Sequence, residues 1–317
     1  MSVIQSRFLT RTAGTLVLAG ALGLAACDEQ QIPSPTEPAA EPADALVKNA
    51  SKKVLIAFSS SRDGGNPEIY TMTDRGRQQT RLTTNTDFDL APAWSPDRTK
   101  IAFVSFPNGG TDVNIFVMNA DGTGRTQLTT DPSVEESPDW SPDGSKIAFN
   151  RNGSIVVMNA DGSGQTELPN ADNDNDWDPD WSSDGTRIVL SRDRGSTQLS
   201  EIWVMNADGS GAVQLTQNSF HDSGATWSPD GSKIAFESNR NSGVYQVFVM
   251  NADGSGQTQL TSGFHSSGPA WSPDGSKIAF ETFASGNLDL YVMNADGSRV
   301  TQLTTDPASD VDAAWAR

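Results

Sequence analysis

Carboxylates and two histidines are the groups in this sequence best equipped to do chemistry, and their spacing is regular. Counting back five residues from Trp94, Trp140, Trp181, Trp227, Trp271 and Trp315 gives Asp89, Glu135, Asp176, Asp222, Ser266 and Asp310. Five acidic side chains at one repeated position would gather negative charge around one opening and attract cations or basic surfaces. The alternative is local: each carboxylate caps its own loop by accepting from nearby backbone N–H groups. A denser cluster, NADNDNDWDPDW at 170–181, places Asp172, Asp174, Asp176, Asp178 and Asp180 at alternate positions. Hard oxygen ligands at that density suit Ca²⁺, but an EF-hand loop needs Gly sixth and Glu twelfth, where Trp177 and Ser183 stand. The expectation is a solvated acidic loop with at most a weak calcium site at Asp172, Asp174, Asp176 and Asp178. His221 and His265 each lie six residues before a tryptophan, in FHDSGATW and FHSSGPAW, which read as one loop used twice. Two histidines cannot make a three-His zinc site, and no fixed Ser–His–Asp arrangement follows from loops so rich in Ser and Asp. No phosphate-binding Gly-rich loop or dinucleotide fingerprint is present.

The single cysteine, Cys27, excludes an internal disulfide. It follows an apolar stretch, Ala13 to Ala26, that is too short to span a bilayer and is preceded by Arg7 and Arg11. Leu24-Ala25-Ala26-Cys27 resembles the lipobox of bacterial lipoprotein precursors. The resemblance implies cleavage before Cys27 and acylation of that residue, with several acyl chains anchoring the protein to a membrane. Residues 1–26 then form the signal peptide. Residues 27–52, the lipidated cysteine plus a Pro-rich segment with Pro33, Pro35, Pro38 and Pro42, read as a disordered tether. Fully extended, such a segment reaches about 75 Å.

The net charge is −18, from 22 basic and 40 acidic residues. A field of that sign repels phosphate backbones, so nucleic acid is excluded as a partner, and it favours basic surfaces. Gly, Ser, Asn, Asp and Pro are abundant, as expected where many short strands are joined by tight turns.

The elements that must position these groups come from a repeat. The tryptophans are 46, 41, 46, 44 and 44 residues apart, and SPDGSKIAF or a close variant follows the first five. Each unit continues with a run ending in Met-Asn-Ala-Asp-Gly, such as IFVMNADG at 115–122, and closes on a QLT-type segment. Four strands per unit follow, with Pro-Asp-Gly and Asn-Ala-Asp-Gly as tight turns. The turn carboxylates Asp121, Asp143, Asp161, Asp230, Asp253, Asp274 and Asp296 have a sufficient role in those turns. The second and third strands are apolar on both faces, which suits sheets stacked around an axis. Residues 54–83 lack a tryptophan strand, whereas the terminal DAAWAR has one and nothing after it. Joining the two predicts an all-β fold: a six-bladed β-propeller over 53–317, closed by pairing the C-terminal strand with the N-terminal blade. Closure removes exposed sheet edges.

WSPDGSKIAF, VMNADG and SSRDGGNPEIY (59–70) resemble the propeller repeats of the TolB-like family, whose TolB members serve the periplasmic Tol–Pal system. Similar repeats occur in prolyl-oligopeptidase-like peptidases. The α/β domain that precedes the propeller in TolB has no counterpart here; the tether occupies that position. The resemblance implies a binding scaffold in the cell envelope, with a protein, peptide or cell-wall-associated partner. The variable loops at the channel mouth, with Asp89, Glu135, Asp176, Asp222, Asp310, His221 and His265, are the expected binding residues. Two alternatives remain open at this stage: a hydrolase or lyase in the channel mouth, and a calcium-dependent envelope adhesion module.

Overall fold

The computed structural model describes residues 55–106, 110–170, 174–193, 199–241 and 243–317. Cys27, Asp172, the signal segment and the tether lie outside them. The described chain is built of 24 strands in six four-stranded antiparallel sheets. The first blade holds β1 (Leu55–Ser60), β2 (Glu68–Thr73) and β3 (Thr80–Arg81). The second holds β4 (Phe88–Trp94), β5 (Lys100–Phe106), β6 (Asn114–Asn119) and β7 (Thr126–Gln127). In the third are β8 (Glu135–Trp140), β9 (Lys146–Arg151), β10 (Ser154–Asn159) and β11 (Thr166–Glu167). The fourth is β12 (Asn175–Trp181), β13 (Arg187–Asp193), β14 (Ser200–Asn206) and β15 (Val213–Gln214). The fifth contains β16 (Asp222–Trp227), β17 (Lys233–Ser238), β18 (Gln246–Asn251) and β19 (Thr258–Gln259). The sixth contains β20 (Ser266–Trp271), β21 (Lys277–Thr282), β22 (Asp289–Asn294) and β23 (Thr301–Gln302). The last strand, β24 (Asp310–Trp315), pairs with β1, aligning Ile56 with Trp315 and Ser60 with Asp310. The ring is therefore closed by the two ends of the propeller, as the repeat predicts.

The tryptophan strands are innermost and contact one another in a closed circle, β24–β4–β8–β12–β16–β20–β24. The hydrophobic core lies between blades rather than within one. Trp94 packs with Ala57 and Ile69 of the preceding blade, and Trp181 with Ala148, Ile155 and Val157. This explains why the second and third strands are apolar on both faces.

The repeated turns form because their side chains close them. In the third blade Ser141 Oγ donates to Asp143 Oδ1 at 2.6 Å, and Ser145 N donates to the same oxygen at 3.0 Å. Gly162, in the turn after β10, needs both its positive φ of 87° and its missing side chain. A Cβ there would lie 2.6 Å from the Leu128 carbonyl oxygen of the previous blade.

Each inner strand also carries a bulge. The residue three before each tryptophan has a positive φ: Ala91, Ser137, Asp178, Gly224, Gly268 and Asp312. Register shifts mark the same points in all six sheets. A bulge increases the local twist, so the mouth half of each inner strand is re-aimed relative to the half bearing the tryptophan.

Candidate functional site

The two rims of the propeller differ in kind. The turns that follow the tryptophans (95–99, 141–145, 182–186, 228–232, 272–276) all have one length. On the opposite rim the second-to-third-strand connection is 152–153 in the third blade but 283–288 in the sixth. Variable loops on a repetitive frame are where binding concentrates.

The five acidic residues do sit at equivalent places there, but their carboxylates do not face an opening. Asp89, Glu135, Asp176, Asp222 and Asp310 are all buried. Each faces an arginine of its own blade. Arg62 Nη2 reaches both oxygens of Asp310 at 2.7 Å, and Arg151 Nη2 reaches Glu135 at 2.6 Å. Arg240 Nη2 lies 2.6 Å from Asp222, and Arg125 Nη2 lies 3.6 Å from Asp89. Arg192 grips Asp176 with two parallel bonds of 2.6 and 2.8 Å. Each guanidinium also covers an aromatic ring: Arg62 on Tyr70, Arg125 on Phe116, Arg151 on Phe149, Arg192 on Trp203 and Arg240 on Phe248, at 4.2–5.3 Å from the ring centroid. The repeated feature is thus an acid–arginine–aromatic stack. The sixth blade proves the rule: Ser266 replaces the acid, Thr282 stands opposite, and their hydroxyls bond at 3.2 Å. Burial pushes Glu135, Asp176 and Asp310 above the usual carboxylate range, while their arginines pull the other way. Each of these carboxylates is thus buried and neutralised within its own blade.

Of the four aspartates read as a weak calcium site, Asp172 lies outside the described residues. Asp176 is engaged by Arg192, and Asp178 accepts from Ser137 Oγ at 2.8 Å. Among the described residues, no group of three or more His, Cys, Asp or Glu side chains converges as a metal site would.

Deeper in the channel lies a charge cluster that spacing alone does not reveal. Asp139 and Asp180, each just before a tryptophan, accept from the backbone N–H of the next blade's tryptophan, Trp181 and Trp227, both at 2.8 Å. The Arg317 guanidinium sits between them, 2.6 Å from Asp180 and 4.0 Å from Asp139. Burial pushes Asp139 up to about 7, with Arg317 pulling it down and the like charge of Asp180 pushing it further up.

The two histidines lie on the variable rim of the fifth and sixth blades. The His221 N–H donates to Asn239 Oδ1 at 3.0 Å, and His265 Nε2 is 3.0 Å from Ser267 Oγ. Tyr245 packs edge-on against His265, with centroids 5.7 Å apart. Burial lowers the pKa of His265 against the opposing charge of Glu237, which favours the neutral imidazole. Beside the histidines are Phe220 (40% exposed), Phe264 (59%) and Val244 (38%). Asn239 and Tyr245, on either side of the β17–β18 connection, tie the neighbouring loops together. Asn239 at one end meets His221, and at the other the Tyr245 carbonyl accepts from Ser266 N at 2.9 Å. Next to it, Gln246 Nε2 donates to the Phe264 carbonyl at 2.9 Å. Single exposed apolar residues are ordinary; these three stand on neighbouring loops of the fifth and sixth blades that the bonds above connect. The histidines stand out in the sequence by their spacing from the tryptophans, and the phenylalanines by nothing more than preceding His in both copies of the loop.

Comparison with known proteins agrees with this architecture. The family model described as the TolB beta propeller domain matches residues 90–200 and 177–264, together more than half of the chain. The Tol-Pal system protein TolB of Desulfosudis oleivorans is 41% identical over 58 residues, covering 18% of this chain and 13% of that relative's length. TolB from Acinetobacter baumannii superposes with a TM-score of 0.73 at 23% identity, over 86% of this chain and 70% of that one. A TolB from Agrobacterium tumefaciens gives 0.65 at 20% identity, over 82% and 90%. The same fold appears in a nidogen/laminin complex, with a TM-score of 0.68 at 11% identity over 83% of this chain and 98% of that one.

Proposed function

The chain belongs to the TolB β-propeller domain family, and from that premise we propose that it is an envelope lipoprotein whose propeller is a docking scaffold for a protein or peptide. In this reading residues 1–26 are removed, Cys27 carries the lipid, and residues 27–52 tether the propeller of 53–317 to the membrane. The partner meets the variable rim at the fifth and sixth blades. The carrying observation is the exposure of the apolar residues Phe220, Val244 and Phe264 on neighbouring loops of the rim that also bears His221 and His265. Aromatic anchors on a rigid rim are the residues that dominate contact energies. The net charge of −18 favours a partner with a basic face. The buried acid–arginine stacks hold the loops in place without touching the partner. The Desulfosudis relative is a Tol-Pal system protein, which is in keeping with a protein partner.

The test is site-specific photocrosslinking in intact envelopes, with the reactive residue at Phe264 or, on the other rim, at the exposed Val213. A discrete adduct is expected from position 264 alone. Phe220→Ala with Phe264→Ala should abolish capture of that partner by the full chain without lowering the melting temperature. Adducts of equal yield from both rims would overturn the reading.

A further inference from the structure

We propose that Glu201 and Asp222, at the interface of the fourth and fifth blades, share one proton, and that this proton latches the loop 217–221 carrying Phe220. Both side chains are buried, Asp222 completely. Glu201 Oε1 accepts from Asn218 N at 2.7 Å, and Oε2 accepts from Thr216 Oγ1 at 2.6 Å and from Asn218 Nδ2 at 3.5 Å. The same Nδ2 donates to Asp222 Oδ2 at 2.7 Å, so one amide spans both acids. Arg240 Nη2 takes that oxygen too, at 2.6 Å. The other oxygen, Oδ1, is buried, and no donor among the described residues reaches it. Asp222 is nevertheless in hydrogen-bond contact with Glu201. Two ionised carboxylates are acceptors only, so one of the pair must carry a proton. Around the pair stand Arg192, opposite Glu201 in the sheet and held by Asp176, then Asp193, which accepts from Ser200 Oγ, and His221, whose Nδ1 lies 3.5 Å from Ser200 N.

The repeat makes the same contact elsewhere with a neutral group. Glu201 stands five residues before the end of its strand, where the other blades carry Glu68, Asn114, Ser154, Gln246 and Asp289. With one atom of its amide Gln246 accepts from Thr261 Oγ1 at 2.9 Å, and with the other it donates to the Phe264 carbonyl in the loop that leads to the sixth blade. A protonated Glu201 does likewise. It accepts from Thr216 and donates to Asp222, at the end of the loop that carries Phe220. The other acids at this place have donors of their own: Glu68 has Arg81 at 2.6 Å, and Asp289 accepts from Ser285, Gln302 and Thr304. Glu201 instead shares its third donor with Asp222. Burial pushes Glu201 above its ordinary value of 4.5 and Asp222 pushes the same way, against donation from Thr216 and Asn218. Asn218 is the pivot of the loop, because its side-chain oxygen also accepts from Phe220 N at 2.8 Å. Loss of the shared proton sets two like charges against each other across Asn218 and frees the loop. The latch rests on the docking reading only for what it regulates, the presentation of Phe220.

The test is a pH titration of the full-length chain, read at the Glu201 carboxyl carbon by ¹³C NMR and at the Phe220 amide by hydrogen exchange. Glu201 is expected to titrate above 4.5. A carboxyl raised in this way contributes its full stability below the unfolded value and loses it as pH rises through the folded one. Protection of the Phe220 amide, relative to an unstructured chain, should therefore fall by up to ~10-fold per pH unit across that window, because one proton is linked. Glu201→Gln, which copies Gln246, should flatten the profile. His221 remains in that variant, so any dependence due to the histidine would persist there. Glu201 titrating at or below 4.5, protection at Phe220 that ignores pH, or an undiminished slope in Glu201→Gln would each overturn the proposal. A latch that responds as stated while photocrosslinking at position 264 fails would remove the docking reading and leave the shared proton standing.

Discussion

Replacing Asp176 by serine should destabilise the propeller severely, and replacing Arg192 by threonine in the same chain should reverse most of the loss. Asp176 and Arg192 are only 2% and 3% exposed, and two bonds of 2.6 and 2.8 Å join them. Removing the carboxylate strands a guanidinium away from water, which costs about 3–5 kcal/mol. Arg192→Thr alone strands the carboxylate, at a similar cost. The sixth blade shows the neutral solution. Ser266 and Thr282 occupy the same two register positions there and bond through their hydroxyls. The double variant copies that pair, so no charge is left unpaired. What remains is the lost stacking of Arg192 on Trp203, at 4.9 Å from the ring centroid. That loss amounts to ~1–2 kcal/mol. Urea unfolding followed by tryptophan fluorescence gives all four corners of the cycle. The double variant should be more stable than either single one, by roughly 2–3 kcal/mol. A double variant as unstable as the sum of the singles would refute the account of the acid–arginine stack.

Three further outcomes are expected. Deleting residues 308–317 removes β24, unpairs β1 and takes away buried Trp315; that side chain alone is worth about 3–5 kcal/mol, out of a typical total of ~5–15 kcal/mol. Its melting temperature should fall far below that of a chain lacking residues 28–48, and equal melts would contradict closure by the ends. Arg317→Ala leaves Asp139 and Asp180 without their cation, raising Asp139 beyond its present value near 7. A raised carboxyl contributes its full stability below the unfolded value of 3.8 and loses it as pH rises through the folded value. The deficit against the parent chain should therefore be small at about pH 4, grow through neutrality, and shrink again on adding Asp139→Asn; a pH-independent deficit would exclude this origin. Finally, Cys27→Ser should yield an unprocessed precursor that incorporates no labelled palmitate, and label retained in the variant would rule out Cys27 as the acylation site.

The blade count, the strand order and the closure were legible in the residues because each is encoded locally. A tryptophan, a Ser-Pro-Asp-Gly turn and a Met-Asn-Ala-Asp-Gly turn recur at near-constant spacing, and the turns are satisfied by side chains two residues away, as Asp143 is by Ser141 and Ser145. The unequal ends of the chain then leave one strand to pair, and it does. The fate of the acidic positions was not legible, because their partners arrive by different routes. Arg151 and Arg192 lie on the second strand of their blades, Arg62 and Arg240 just beyond it, and Arg125 in a turn after the third strand. No single spacing joins acid to arginine, although in hindsight the sixth blade's Ser266, which faces Thr282 instead of an arginine, was a trace of it. The channel cluster is less visible still, since Arg317 and Asp180 are 137 residues apart and meet only once the ring is closed. Likewise the loops bearing Val244 and Phe264 are connected only once the chain has folded, through Gln246 and the Phe264 carbonyl. Hydrogen-bonded turns and strand periods act over a few residues, so sequence alone determines them. Charge pairing, burial and surface continuity act through space, and the packing of blades around the axis decides them.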